Sequence, residues 1–144
     1  MPDDATPHPD TLDLAADLRA CLGTLVRSLR DSDELPQNQA AVLGRLVRDE
    51  RPYTVAELAD RQRVRHQSMA RTVALMTEAG LVVQQPHPTD GRKQLIAATE
   101  AGHTALLDQR SRREHQLATA IEARLSPADQ ERLREMITLL GRLS

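Results

Sequence analysis

A basic stretch between residues 61 and 93 carries the residue types with the most evident chemistry in this 144-residue chain. It holds six basic side chains against two acidic ones, a net charge of +4, whereas the whole chain has a formal net charge of −2. Its charged residues are Arg61, Arg63, Arg65, Arg71, Arg92 and Lys93, with Glu78 and Asp90. Positive charge concentrated in a slightly acidic protein is typical of surfaces that bind phosphate backbones. The alternative is a solvated surface without a partner, because arginine is usually exposed.

The segment "PHPTDGRK", residues 86–93, places the last two of these cations in a turn. Its prolines and its Asp-Gly pair are turn residues, and the flanking "LVVQQ" and "QLIAAT" carry the branched and aliphatic side chains that strands favour. The pattern predicts a β-hairpin over residues 81–98 with a basic turn at its tip. Such a hairpin is either a finger that reaches a polyanion or a solvated loop, and the neighbouring elements decide between the two.

Apolar residues at helical spacing account for most of the chain before residue 80. A first helix is predicted over residues 11–31, on the face formed by Leu14, Leu18, Cys21, Leu22, Leu25 and Leu29. A second helix is predicted from Pro36, which suits a first helical turn, to about residue 50. Thr54 and Glu57 have the spacing of a capping box and open a short third helix.

A fourth helix follows the turn at "QRVRH" and ends at Gly80, which is expected to adopt a left-handed conformation there. One face of this helix carries Met69, Val73 and Met76, and the opposite face carries Gln67, Arg71 and Glu78. Residues 54–80 therefore predict a helix-turn-helix, and the hairpin directly after it makes the arrangement winged. An α-helix fits the major groove of DNA and a narrow arginine-bearing finger fits the minor groove, so both parts of the basic stretch have a place on one duplex.

The segment after the hairpin is predicted to contain dimerisation helices. One long helix is expected from Glu100 over about twenty-five residues, and Ser126-Pro127 begins another. Their apolar residues are Leu106, Leu107, Leu117, Ile121 and Leu125, then Leu133, Met136, Ile137 and Leu140. A small winged helix cannot cover these stripes and the first helix as well, so a second copy is expected to pack on them. Two fourth helices would then lie about one turn of DNA apart.

The predicted fold is mainly α with a small β-wing, a winged helix-turn-helix flanked by N- and C-terminal dimerisation helices. Residues 1–10 are expected to form a disordered tail, and residues 11–144 a single domain. Within that domain, residues 11–34 and 100–144 are assigned to dimerisation and residues 35–99 to the winged lobe that binds DNA.

Composition argues against several other classes of protein. Tyr53 is the only aromatic residue, and no apolar run approaches the length of a membrane span. The acidic, proline-bearing start is unlike a secretory signal, so a cytoplasmic protein is expected. No Gly-rich phosphate loop, nucleophile elbow or constrained carboxylate pair indicates an enzyme or a cofactor. His103 and His115 lie twelve residues apart, roughly 120° around a helix, so no metal site is predicted.

The chain resembles the MarR-type (multiple antibiotic resistance) transcriptional regulators over essentially its whole length. "LPQNQAAVLGRL" is similar to the second helix of that family, "VAELADRQRVRHQSMARTVALMTEAGLV" to its helix-turn-helix, and "DGRKQLIAATEAG" to its wing and the opening of its next helix. The "EAGLV" step and the pair of Asp90 and Arg92 are the most specific pieces. Family members often open the recognition helix with Ser, Thr or Pro, whereas this chain has Arg65 and His66 there.

The resemblance implies a role for each matching residue. The DNA-facing positions of the recognition helix would be Arg65, His66, Gln67, Ser68, Arg71 and Thr72. Arg92 would enter the minor groove with Asp90 holding its guanidinium, and Lys93 would contact phosphate. The resemblance also implies a homodimeric repressor that binds a palindromic operator in double-stranded DNA. A small, often phenolic or amphipathic effector would release it, although no residue identifies that ligand.

Two other functions remain open from the sequence. Winged helices also serve as protein-protein interaction modules, which salt-dependent binding to duplex DNA would distinguish from a DNA-binding regulator. Cys21 is a candidate redox residue, since hydroperoxide sensors of the resembling family carry a reactive cysteine near this place. Those sensors have tyrosines near the thiol, and Tyr53 is the only tyrosine here. On the apolar face of the first helix, Cys21 is otherwise expected to act as a small buried hydrophobe.

Overall fold

The computed structural model describes residues 6–30 and 35–143, and of Arg30 only the backbone. Within these ranges the chain forms six α-helices and three short β-strands. The helices are α1 (Pro9–Arg30), α2 (Gln37–Asp49), α3 (Val55–Gln62), α4 (His66–Glu78), α5 (Glu100–Arg124) and α6 (Pro127–Leu140). The strands are β1 (Tyr53–Thr54), β2 (Val82–Pro86) and β3 (Gln94–Ala98). The predicted fold class, mainly α with a small β-wing, is confirmed.

Helix α1 begins earlier than the sequence analysis predicts. Residues 9 and 10, assigned to a disordered tail, are helical. Pro9 suits a first helical turn, and the carboxylate of Asp10 interacts favourably with the positive end of the helix dipole. Residues 1–5, and the predicted end of this helix at residue 31, lie outside the described residues.

The chain divides into two compact units, one of residues 34–115 and one of residues 1–33 with 116–144. The first, called here the winged unit, contains α2, the three strands, α3, α4 and the first part of α5. It extends past residue 99, the predicted end of the lobe, because Gly102, Leu106 and Gln109 of α5 are buried. Leu106 belongs to the apolar core of this unit, so its assignment to a dimerisation stripe is wrong.

The core of the winged unit is aliphatic apart from one aromatic ring. Its buried members are Leu35, Val42, Leu43, Leu46, Tyr53, Leu58, Ala59, Met69, Val73, Met76, Val82, Ile96 and Leu106. Tyr53 is only 2% exposed. Its hydroxyl donates to Oδ2 of Asp49 over 2.5 Å, which satisfies the polar end of this buried ring.

Local capping sets the ends of the two helices of the helix-turn-helix. The Thr54 hydroxyl accepts the backbone N–H of Glu57 at 3.2 Å, and the Glu57 carboxylate accepts the backbone N–H of Thr54 at 2.8 Å, which confirms the capping box. Arg63 is the C-cap of helix α3, and its φ of 53° is left-handed. Gly80 has a φ of 73°, and the N–H of the next residue, Leu81, donates to the carbonyl of Met76 at 2.9 Å. The predicted glycine C-cap is therefore also confirmed.

The wing is the larger part of a three-stranded antiparallel sheet with the order β1-β3-β2. Strands β2 and β3 pair with Gln84 opposite Ile96, close to the predicted limits of the hairpin. Strand β1, which the sequence analysis does not predict, pairs Tyr53 with Ile96. It has only two residues, too few for a period-two pattern to be visible in the sequence.

The second unit contains α1, the last part of α5, and α6. Ser126 caps α6 by accepting the backbone N–H of Asp129 at 3.2 Å, with Pro127 in the first turn, as predicted. None of the described side chains of α1 or α6 is buried in the single chain. The large apolar residues exposed on these helices are Leu12, Leu14, Leu22, Leu25, Val26, Met136, Ile137 and Leu139.

Candidate nucleic-acid interface

The first turns of α4 present a polar and accessible surface. Arg65 lies at the N-cap without a hydrogen bond from its side chain to the helix, in line with the departure from the family pattern at this position. The exposed side chains here are those of Arg65, His66, Gln67, Ser68 and Arg71. On the opposite face Met69, Val73 and Met76 are buried in the core. This confirms the predicted two-faced character of the helix.

The expected exposure of Thr72 is wrong. Its side chain is only 7% exposed, and its hydroxyl donates to the carbonyl of Ser68 at 3.0 Å. The same hydroxyl accepts a hydrogen bond from Nδ2 of Asn38 on α2, also at 3.0 Å. Position 72 comes three residues after Met69 and four before Met76, so it lies at the edge of the core face of the helix. Thr72 therefore holds α4 against α2 and does not offer its hydroxyl to a ligand.

Asp90 braces the wing turn, but through the backbone of Arg92 and not through its guanidinium. Oδ1 of Asp90 accepts the backbone N–H of Arg92 at 3.1 Å. Oδ2 lies 3.9 Å from Nζ of Lys93 in an exposed ion pair, which is worth little in water. The amide two residues ahead is a fixed target for an aspartate side chain, whereas the guanidinium would have to be ordered at an entropic cost. Among the described residues, no ion pair restrains the guanidinium of Arg92.

His87 organises the other half of the wing turn, a role that the sequence analysis does not identify. Its Nδ1 accepts the backbone N–H of Thr89 at 3.3 Å and that of Asp90 at 3.2 Å. The backbone of His87 also closes the hairpin, with its N–H donating to the carbonyl of Lys93 at 3.1 Å. The spacing to Thr89 resembles that of an Asx-turn, with imidazole as the acceptor. The two cations therefore project from a turn whose backbone is largely fixed by its own side chains.

A concave groove of about 870 Å³ lies between the wing and the start of α3. His66 from α4 and both Arg92 and Lys93 from the wing border it, so three residues predicted from the sequence share one site. The other exposed residues of α4 lie outside its lining. Arg51, in the connection between α2 and β1, also borders the groove. It lies outside the basic stretch of residues 61–93, so charge clustering along the chain did not indicate it.

Two carboxylates, those of Glu57 and Asp60, reach the same groove. The pKa of Glu57 is lowered, mainly because its carboxylate accepts the backbone N–H of Thr54, with smaller contributions from Arg51 and Arg61. Its negative charge is thus engaged at the first turn of α3. Asp60 is exposed to solvent. Arg51, Arg92 and Lys93 together outnumber the two carboxylates, so the groove has a net charge of +1 when its histidines are neutral.

The remaining sequence candidates are not among the residues that line this groove. Cys21 is exposed on α1, which corrects its expected burial, and its redox role remains a prediction. Within the described ranges, no three metal-ligating side chains come together. Likewise, none of the helices in those ranges combines the length and apolar character that crossing a membrane requires.

Comparison with known proteins gives one consistent family. Residues 34–93 match the sequence model of the MarR family. The chain is 34% identical over 130 residues to an HTH-type transcriptional regulator of Mycobacterium bovis, covering 88% of this chain and 90% of that protein. It is 31% identical to a transcriptional regulator of Pseudomonas aeruginosa whose crystal structure superposes with a TM-score of 0.81, covering 95% and 97% of the two chains.

The fold also matches a structure that contains nucleic acid. A variant of MepR from S. aureus, bound to an oligodeoxyribonucleotide, has a TM-score of 0.69 over 91% of this chain and 98% of that chain. At 15% identity this likeness concerns the fold alone. The proteins that match over most of the chain are regulators and not enzymes. The winged helix-turn-helix, the family model and the relative at 34% identity lead to the same conclusion: this chain belongs to the MarR family of transcriptional regulators.

Proposed function

We propose that this regulator binds duplex DNA sequence-specifically as a homodimer, with α4 in the major groove and the wing in the adjacent minor groove. The observation that carries the proposal is the shared groove, which His66 of α4 borders together with Arg92 and Lys93 of the wing. The sugar-phosphate backbone of DNA runs between the major and the minor groove. A concave surface with the exposed face of α4 on one side and the cationic wing on the other suits that backbone.

The residue roles follow from accessibility and chemistry. Gln67, Ser68 and Arg71 are exposed polar side chains on α4, and Arg71 can donate two hydrogen bonds to the major-groove edge of guanine. Arg92 is exposed at the wing tip, and no ion pair from the described part of the chain restrains its guanidinium, which suits a narrow minor groove of high negative potential. Lys93, as a compact point charge, suits a phosphate. Arg65 and His66 lie at the start of α4 and are assigned to contacts with the sugar-phosphate backbone of DNA.

The dimer is proposed from the apolar side chains of the second unit. Leu14 of α1 is 68% exposed and Ile137 of α6 is 60% exposed, and further apolar residues accompany each of them at helical spacing. Soluble monomers rarely leave so much apolar surface in water. A second copy related by a two-fold axis would cover these faces and would pair two recognition helices with the two halves of a palindromic operator.

Repression released by a small effector is the regulatory mode that we propose, on the strength of the family resemblance. A ligand releases the regulator from DNA only if it binds more tightly to the conformation that cannot bind DNA than to the conformation that can. The test is a titration of the DNA complex with phenolic acids. Dissociation that saturates with ligand supports the proposal, and unchanged affinity for the operator argues against it.

The DNA-binding proposal is tested with a duplex selected by the wild-type protein from a random pool, and with an unrelated duplex of equal length. Arg71→Ala should cost about 1–3 kcal/mol on the selected duplex and much less on the unrelated one, because a base contact is lost. Lys93→Ala should weaken binding to both duplexes equally. It should also lower the slope of log affinity against log salt concentration, called here the salt slope, by about one per protomer. A protein-protein interaction module would bind neither duplex. Equal losses on both duplexes for Arg71→Ala would contradict base reading.

A further inference from the structure

We infer that Arg51, held in place by the ring of Tyr53, is an additional phosphate-binding residue of this regulator. In this arrangement a sugar-phosphate strand runs through the groove between the wing and the start of α3. The inference rests on the proposed function and extends it, because Arg51 lies outside the helix-turn-helix and outside the wing.

The first observation is the position of the guanidinium of Arg51. The groove has basic side chains on two sides, with Arg92 and Lys93 on the wing and Arg51 on the connection between α2 and β1. A strand of DNA in this groove would therefore meet positive charge from both walls. The carboxylates of Glu57 and Asp60 line the same groove, so three cationic side chains stand against two anionic ones and leave a net charge of +1 when His66 and His87 are neutral.

The second observation is that Arg51 is pre-organised. Its guanidinium carbon lies 3.7 Å from the centroid of the Tyr53 ring, a close cation-π contact. The backbone on either side is restrained, since Glu50 ends α2 in a left-handed conformation and Pro52 has a fixed φ. Stacking engages the flat face of a guanidinium and leaves its N–H edge free for a phosphate. The only hydrogen bond from Arg51 within the described residues is a long one, from Nη1 to the carbonyl of Pro52 at 3.4 Å.

The third observation is that the Tyr53 ring is itself anchored. The ring is buried, and its hydroxyl donates to Asp49 at 2.5 Å. The Asp49 carboxylate in turn lies 3.6 Å from Nη1 of Arg45 and 3.4 Å from Nε of Arg48. Arg51 therefore stacks on a rigid surface of the core and not on a mobile side chain. Tyr53 acts as a positioning residue, and Arg51 contacts the DNA.

Arg51→Ala is the direct test, with Arg110→Ala as its matched control. Both changes remove one exposed arginine from the winged unit, but Arg110 neither borders the groove nor takes part in the contacts that anchor Tyr53. Affinity is measured by fluorescence anisotropy over a range of salt concentrations, on the selected duplex and on an unrelated duplex. Arg51→Ala should weaken binding to both duplexes by the same factor and lower the salt slope by about one per protomer. Arg110→Ala should change neither quantity.

Arg51→Lys separates charge from stacking. It should restore the salt slope but only part of the affinity, because an ammonium lacks the flat face that stacks on Tyr53. Circular dichroism establishes that each variant is folded. If the wild-type protein binds and Arg51→Ala behaves like Arg110→Ala, the inference is overturned while the proposed function stands. If the wild-type protein binds no duplex, the proposed function fails and the inference fails with it.

Discussion

Asn38 donates a hydrogen bond from Nδ2 to the hydroxyl of Thr72, 34 positions further along the chain, and so joins the first turn of α2 to the inner side of the recognition helix. Thr72→Val keeps the shape of the side chain and removes this bond. Because Asn38 is exposed and can turn to water, the free energy of unfolding should fall by only about 1 kcal/mol. Chemical denaturation measures this loss. A change in base preference for Thr72→Val would instead place the hydroxyl on DNA.

Asp90 can be tested with two substitutions that separate its charge from its hydrogen bond. Asp90→Asn keeps an oxygen that can accept the backbone N–H of Arg92, so the wing turn should persist and DNA binding should be equal or tighter. Asp90→Ala removes the acceptor and should weaken binding, because the wing tip loses its shape. Titration of both variants against one duplex at fixed salt provides the measurement. Equal weakening by both would mean that the carboxylate holds the guanidinium of Arg92 after all.

Ile137 tests the proposed dimer, with Thr138 as its control. Ile137→Asp places a charge within the apolar face of α6 and should dissociate the dimer, because an unpaired carboxylate would be buried in the interface. Thr138→Asp adds the same charge at the next position, about 100° around the helix, and should leave the dimer intact. Sedimentation or light scattering reports the mass. A wild-type protein that remains a monomer at micromolar concentrations would contradict the proposal.

Gly102 and Gly44 give opposite expectations for the same substitution. A Cβ on Gly102 would overlap the carbonyl oxygen of Leu81, so Gly102→Ala should lower the free energy of unfolding by about 1–3 kcal/mol. A Cβ on Gly44, within α2, meets nothing, so Gly44→Ala should stabilise the protein by about 0.5–1 kcal/mol through helix propensity. Denaturant titration of both variants decides the point. A stabilising Gly102→Ala would show that α5 does not pack this closely on Leu81.

The carboxylates of Asp49 and Glu57 should make stability depend on pH. The hydrogen bond from Tyr53 is the main cause of the lowered pKa of Asp49, whose ordinary value is 3.8, and the backbone N–H of Thr54 is the main cause for Glu57, whose ordinary value is 4.5. A lowered folded pKa means that the unfolded chain binds protons more readily. The stabilisation is therefore complete above these ordinary values and is lost as the pH falls through the lower folded ones.

Glu57→Gln gives the measurement for this pH dependence. The variant keeps an oxygen for the N-cap amide but lacks the charge, so it should be less stable than the wild type at neutral pH. The difference in free energy of unfolding between wild type and variant should shrink as the pH falls below about 4. Below that pH the wild-type carboxyl takes up a proton in the unfolded chain, so its charge no longer favours the folded state. A difference that is constant between neutral and acidic pH would be the contrary result.

The sequence by itself determined the features that depend on neighbours a few residues apart. The capping box of Thr54 and Glu57, the left-handed Gly80 and the basic turn before Lys93 are all local, and their residue types specify the backbone directly. The polar and apolar faces of α4 follow from spacing alone. The family resemblance added the roles on DNA, which no local pattern contains.

Only the tertiary structure decided which side chains meet across the chain. Thr72 is buried because α2 packs beside α4, and β1 exists because β3 offers it a partner. Arg51 borders the wing groove because Tyr53, its neighbour two residues on, is fixed in the core by contacts far from it in sequence. Such pairings depend on which elements pack together once long loops have closed, and the spacing of residue types along a chain does not specify that packing.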